Sequence, residues 1–215
     1  MSQHTLTLLR FTYKKLKEKL TVSDSKKLFH EKFPYVIPGL YKRIVDEMLV
    51  ELNLLNHQNE FKQDFLFCVG LTETFKELMK GYKPENHLEL LFESLCSSTN
   101  FKVHEIKEIS KTHQEESKDK SFKDLFEFLK EKSDPKPYPS RVLNLGLYIL
   151  FSRSKDLGKK SESEKTKIIS EFFEKLNLSA NKAEKDIGTY KSSISKMEQA
   201  KELIEELKIK DKKKS

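Results

Sequence analysis

Apolar residues recur along this chain at spacings of three and four, the repeat of a helix that turns one face to a core. The clearest stripe is Tyr41, Ile44, Val45, Met48, Leu49, Leu52 and Leu55, which predicts a helix over residues 39–56 with Pro38 at its start. Lys42, Arg43, Asp46, Glu47 and Glu51 fill the remaining faces. Arg43 and Glu47 stand one helical turn apart and attract, whereas Glu47 and Glu51 repel, each by about 0.3 kcal/mol.

The same reading predicts helices elsewhere. A basic one over residues 3–20 carries Leu6, Leu9, Tyr13, Leu16 and Leu20 on one side. A short one follows, capped by Ser23 or Asp24 and ending near Phe33. Asp64 is placed to cap a helix that Gly81 stops, and its stretch Phe65-Leu66-Phe67-Cys68-Val69 is apolar all round, as a buried turn is. Pro84 opens another that ends near Cys96. Helices are further expected over residues 101–117 and 121–132, the latter starting at Ser121. DPKPYP, from Asp134 to Pro139, holds three prolines and reads as a stiff connector. The helix after it, over residues 140–153, is the most apolar, with Leu143, Leu147, Leu150 and Phe151 expected at the centre of the core. Lys155 to Ser163 reads as a polar linker, and residues 164–176 as a helix carrying Ile168, Ile169, Phe172, Phe173 and Leu176.

Ser179 is placed to cap a last, long helix over residues 180–212. Ala183, Ile187, Tyr190, Ile194 and Met197 alternate steps of four and three, the seam of a coiled coil, and the seam slips after Met197 to Ala200, Ile204 and Leu207. That seam has two uses open to it, packing on residues 164–176 of its own chain or pairing with a second chain. The pattern as a whole predicts an all-α, multi-helix bundle with a long C-terminal helix of coiled-coil character. Its expected parts are a basic extension over residues 1–20, a helical core domain over 21–153, a linker over 154–163, and C-terminal helices over 164–215.

Composition agrees with helices. Only six glycines and six prolines punctuate 215 residues, too few for the turns of a β-rich protein. The net charge of +7 sits at the ends: residues 1–20 and 207–215 carry +4 each, leaving the body at −1. A neutral body argues against a broad nucleic-acid face. The C-terminal cluster Lys208, Lys210, Lys212, Lys213 and Lys214 is instead a candidate contact for anionic lipid or an acidic partner, set against the plainer role of a solvated tail. The longest nearly apolar run, Val142 to Phe151, has ten residues, half the roughly 20 that a membrane span needs. Cys68 and Cys96 each lie in an apolar helical stretch, where buried, reduced thiols are expected.

Reactive chemistry finds no foothold in the pattern. Neither G-x-x-x-x-G-K-S/T nor G-x-G-x-x-G occurs, so no glycine loop is available to wrap a phosphate. His4, His30, His57, His87, His104 and His113 form no pair at one-turn spacing, and neither cysteine has a partner at C-x-x-C spacing. No glutamate is followed three residues later by histidine, as a di-metal helical bundle requires. No catalytic residue, cofactor or metal is therefore expected, and the chain reads as a binding protein. The 15 Phe and 7 Tyr fall mostly on apolar stripes and read as core.

An ordered set of residues also resembles the thylakoid formation protein family of cyanobacteria and plastids. It begins at Val22-Ser23-Asp24-Ser25-Lys26 and continues through Tyr41-Lys42-Arg43-Ile44-Val45-Asp46-Glu47-Met48-Leu49-Val50-Glu51-Leu52. Gly81-Tyr82, Pro84, Leu95-Cys96, Ser140-Arg141, Leu145-Gly146-Leu147-Tyr148 and Tyr190-Lys191-Ser192 follow in order. Where the family usually has Arg-Pro-Ile, this chain reads Tyr35-Val36-Ile37. The resemblance implies a helper in thylakoid membrane biogenesis and photosystem II assembly and repair. It implies the FtsH membrane protease and photosystem II subunits as partners, and a cytoplasmic, membrane-peripheral location of cyanobacterial type. For the partner-binding face the best candidates are Tyr41, Arg43, Glu47 and Glu51, against the plainer reading of a salt-bridged outer face.

Overall fold

A computed structural model of the chain describes residues 19–117 and 119–212, and among them nine α-helices and no strand. In chain order these are α1 (Val22–Lys32), α2 (Gly39–Asn56), α3 (Phe65–Leu78), α4 (Leu88–Ser97), α5 (Val103–Ser117), α6 (Phe122–Lys132), α7 (Arg141–Ser152), α8 (Glu162–Lys175) and α9 (Ala180–Lys212). A 3-10 turn, Glu85–His87, precedes α4. The all-α class and the long C-terminal helix are as the apolar periodicity predicts. The basic helix expected over residues 3–20 lies outside the described residues except for Lys19 and Leu20, which are not helical.

Local chemistry sets the helix starts. Asp64 accepts the Phe67 N–H at 2.8 Å and Ser121 accepts from Asp124, so two starts fall where side-chain type predicts them, and Ser140 caps α7 by accepting from Leu143. Two starts differ. Thr21, not Ser23 or Asp24, caps α1, and Asp24 returns to the Thr21 N–H to complete a capping box. Ser161 and Glu164 form the same box at α8, which begins inside the expected linker. Gly81 takes φ +76°, a left-handed conformation in the turn two residues beyond Met79, the C-cap of α3.

The bundle is organised about α3 and α7, which cross in backbone contact. A side-chain carbon at Gly146 would overlap the Gly70 Cα and carbonyl oxygen, so both glycines are required for the helices to approach this closely. On one side of the crossing, α1, α2, α4 and α5 close a core around Phe33, Leu49, Leu52, Leu71, Leu91 and Leu95. On the other, α6, α8 and the start of α9 close a second core around Phe126, Leu147, Phe151, Ile169 and Phe173. Leu150, expected at the core centre, is only half-buried at the edge of the second core, because α7 turns Phe151 and Leu147 inward there. Leu157 is the converse: it sits in the polar stretch after α7, yet is buried in the second core.

The predicted seam of α9 faces the chain's own body. Ala183 and Ile187 enter the second core, Tyr190 reaches both cores, and Ile194 and Met197 pack on the first. Lys201 then donates to the Lys80 carbonyl at 3.1 Å, while Leu203 beyond it is 61% exposed.

Cys68 and Cys96 are free and fully buried. Burial pushes the Cys68 thiol up to about 12 and raises Cys96 as well, so both remain protonated, poor nucleophiles at pH 8. Under native conditions neither thiol is expected to react with a disulfide reagent at that pH, and both should react on unfolding in urea. Fast labelling of the native chain would contradict the packing of α3 on α4.

Candidate functional site

The outer face of α2 forms one wall of an open groove of about 830 Å³. The other wall is the proline-rich connector, Tyr138 to Ser140, together with Arg141 at the start of α7 and Lys182 on α9. Proline fixes the backbone of this wall, and tertiary contacts pin it in place. The Asn177 side chain donates to the Pro135 carbonyl at 2.9 Å, Lys62 pairs with Asp134 at 3.2 Å, and Tyr138 sets its ring edge-on to Phe61.

Glu51 joins the two walls. Its carboxylate accepts from the Val142 N–H and from Arg141 Nε, both at 2.9 Å. The first four N–H groups of a helix have no intrahelical partner and carry partial positive charge. Glu51 therefore acts as a distant cap on α7, beside the local cap from Ser140. Glu47 lies one turn earlier on α2, 2.8 Å from Arg43 Nε and 3.9 Å from Arg141. Asp46 faces Lys26 of α1 at 3.8 Å. Each of the three carboxylates in the groove thus has a cation beside it.

Three of the four residues proposed from sequence for the partner-binding face, Arg43, Glu47 and Glu51, come together here. Tyr41 does not join them. It is buried on the core side of α2, its hydroxyl donates to the Lys80 carbonyl at 2.9 Å, and its ring meets Tyr82 edge-on. Lys208, Lys210 and Lys212 belong to the last turns of α9, while Lys213 and Lys214 lie outside the described residues. Sequence reasoning missed the opposing wall, Arg141 and Lys182, and it missed Leu54. A second polar-side stripe of α2, Arg43, Glu47, Val50 and Leu54, was the available signal, since Leu54 is an apolar residue out of phase with the core stripe and is 52% exposed.

A second hollow, of about 390 Å³, lies between α3 and α4 and is lined mainly by Phe75, Met79, Leu88 and Phe92. Its charged lining residues, Lys76, Lys80, Glu85 and Glu89, are each paired, with Glu73, Glu77, Lys83 and Lys107 respectively. Among the described residues no three His, Cys, Asp or Glu side chains gather as a metal site would, and no helix is long and apolar enough to cross a membrane.

Comparison with known proteins accounts for the whole described bundle. The model of the thylakoid formation protein family matches residues 21–215. A protein named Thf1 from Prochlorococcus marinus strain MIT 9312 is 76% identical over 200 residues, covering 93% of this chain and 100% of its own length. Thf1 of Synechococcus sp. strain CC9902 is 37% identical over 191 residues, covering 88% of this chain and 89% of its own. The fold is similar to the solved structure of Psb29, with a TM-score of 0.75 and 25% identity, covering 91% of this chain and 98% of that one. The chain belongs to the thylakoid formation protein family.

Proposed function

We propose that this chain is a non-catalytic docking factor in thylakoid membrane biogenesis and in photosystem II assembly and repair. It works from the cytoplasmic side of the membrane by holding the FtsH protease, photosystem II subunits, or both. Family membership supports the thylakoid role, and likeness to Psb29 supports association with photosystem II. The observation that carries the docking mode is the α2 groove. It is a stiff-walled, charge-lined channel with an exposed apolar residue, the anatomy of a protein-binding surface.

The test is affinity recovery from detergent-solubilised thylakoids of cells expressing the tagged full chain. Wild-type chain is expected to bring down FtsH or photosystem II subunits. Leu54→Asp, which places a charge at an exposed position on the α2 wall of the groove, is expected to recover about tenfold less. Recovery of neither complex by wild type would sink the function, and equal recovery by the variant would sink the groove as its site.

A further inference from the structure

We infer that the α2 groove is built for an acidic amphipathic helix of a partner protein, lying lengthwise along α2. This rests on the reading of the groove as the docking site and specifies what enters it.

The first argument is charge left over. Glu47 and Glu51 are engaged by Arg43 and Arg141, and Asp46 lies beside Lys26. Lys42 and Lys182 remain, one on each wall. Lys42 makes no ion pair among the described residues, and Lys182 reaches only the Pro139 carbonyl, at 3.5 Å. Arg43 is 88% exposed and commits only its Nε to Glu47, so the rest of its guanidinium fork is open to a second carboxylate. The uncommitted charge is therefore positive and lines both edges of the channel.

The second argument is shape. Val50 and Leu54 are one turn apart on α2 and form a short apolar patch that continues the stripe of Arg43 and Glu47, with Lys42 on the same wall and Lys182 opposite. The groove runs the length of α2, from Gly39 at its start to Gln58 just past its end, about 27 Å for the 18 residues of that helix. A long groove with an apolar patch on one wall and uncommitted positive charge on both suits an amphipathic helix whose anchors recur every three or four residues. The occupant's flanks must be Asp and Glu to answer Lys42, Arg43 and Lys182. Residues 1–20 of this chain carry the same sign as those edges and are a poor match for them.

The experiment measures binding of the full chain to a fluorescent synthetic helix of 18 residues, matched to the length of α2. It carries leucines at helical spacing and glutamates on both flanks. A second peptide replaces every glutamate by lysine. The acidic peptide is expected to bind at least about tenfold more tightly than the basic one, and less tightly as salt rises. The double variant Lys42→Glu/Lys182→Glu should lose that preference, and Leu54→Asp should lose affinity for both peptides. Circular dichroism of each variant keeps a folding defect from passing as a binding defect. Equal or stronger binding of the basic peptide overturns the inference, as does unchanged binding to the double variant. So does a sedimenting dimer that Leu54→Asp turns into monomer, which would assign the groove to a second copy. If the acidic peptide fails while Leu54→Asp still loses FtsH or photosystem II recovery, the acidic-helix inference falls and the docking reading stands.

Discussion

Gly146→Ala is expected to cost about 3 kcal/mol or more, since of the chain's six glycines it is the one where an added methyl group meets the tightest overlap. The added carbon would overlap the Gly70 backbone, which is itself inside α3 and has no side chain to rotate away. Relief requires α3 and α7 to separate. These two helices carry both cores, so separation loosens Leu71 and Phe67 on one side and Leu147 and Phe151 on the other. A total stability on the order of 5–15 kcal/mol leaves little margin for such a loss. Gly70→Ala should cost less, since its carbon would lie 2.9 Å from the Leu143 Cα and 3.3 Å from the Leu143 Cδ1, a smaller overlap. Gly188→Ala supplies the opposite sign. Nothing lies within 4 Å of that position, so alanine in the interior of α9 should stabilise by about 0.5–1 kcal/mol through helix propensity alone. Urea unfolding followed by circular dichroism orders the three variants. A Gly146→Ala midpoint within error of wild type would refute the α3–α7 crossing as described.

The helices of this bundle were legible in sequence through their apolar stripes, and several through a capping side chain as well, although α2 and α4 start without one. Asp64 and Ser121 stand where their side chains predict. The errors come from competition between neighbours. In Thr21-Val22-Ser23-Asp24 three residues are able to cap, and Thr21 prevails because only it lets Asp24 close the reciprocal bond. The stretch after α7 reads as linker because its composition is polar, yet one buried side chain, Leu157, ties it to the second core. Asp156 beside it accepts the Phe122 N–H at 2.7 Å. Window averages do not register a single leucine among lysines.

The candidate groove was half legible. Arg43, Glu47 and Glu51 share one helix, and their spacing puts them on neighbouring faces. The residues opposite arrive from positions 138–141 and 182, brought there by tertiary packing alone. Periodicity within α2 holds no information about which segment crosses it. That is why Glu51 reads in sequence as one of two repelling carboxylates, whereas in the fold it faces a helix N-terminus and an arginine.

Glu51 accordingly offers the second large effect. Glu51→Ala is expected to cost about 2–3 kcal/mol, the range for a hydrogen bond to a charged group whose partners are left behind. The Val142 N–H would lose its acceptor in a buried position, and Arg141 would lose its nearer carboxylate. Glu51→Gln keeps a carbonyl oxygen for Val142 but no charge for Arg141, so roughly half the loss is expected. A cycle with Arg141→Ala separates the two contributions: the arginine should couple to Glu51 by about 1 kcal/mol, and the remainder belongs to the cap. Hydrogen exchange locates the effect, because the amides of Val142 and its neighbours should lose protection in Glu51→Ala before the rest of α7 does. The same substitution loosens the groove wall that Arg141 occupies, so stability and partner recovery should fall together in Glu51→Ala. In Leu54→Asp, partner recovery alone should fall. A variant series in which Glu51→Ala unfolds at the wild-type urea midpoint would show that the carboxylate does not fasten α2 to α7.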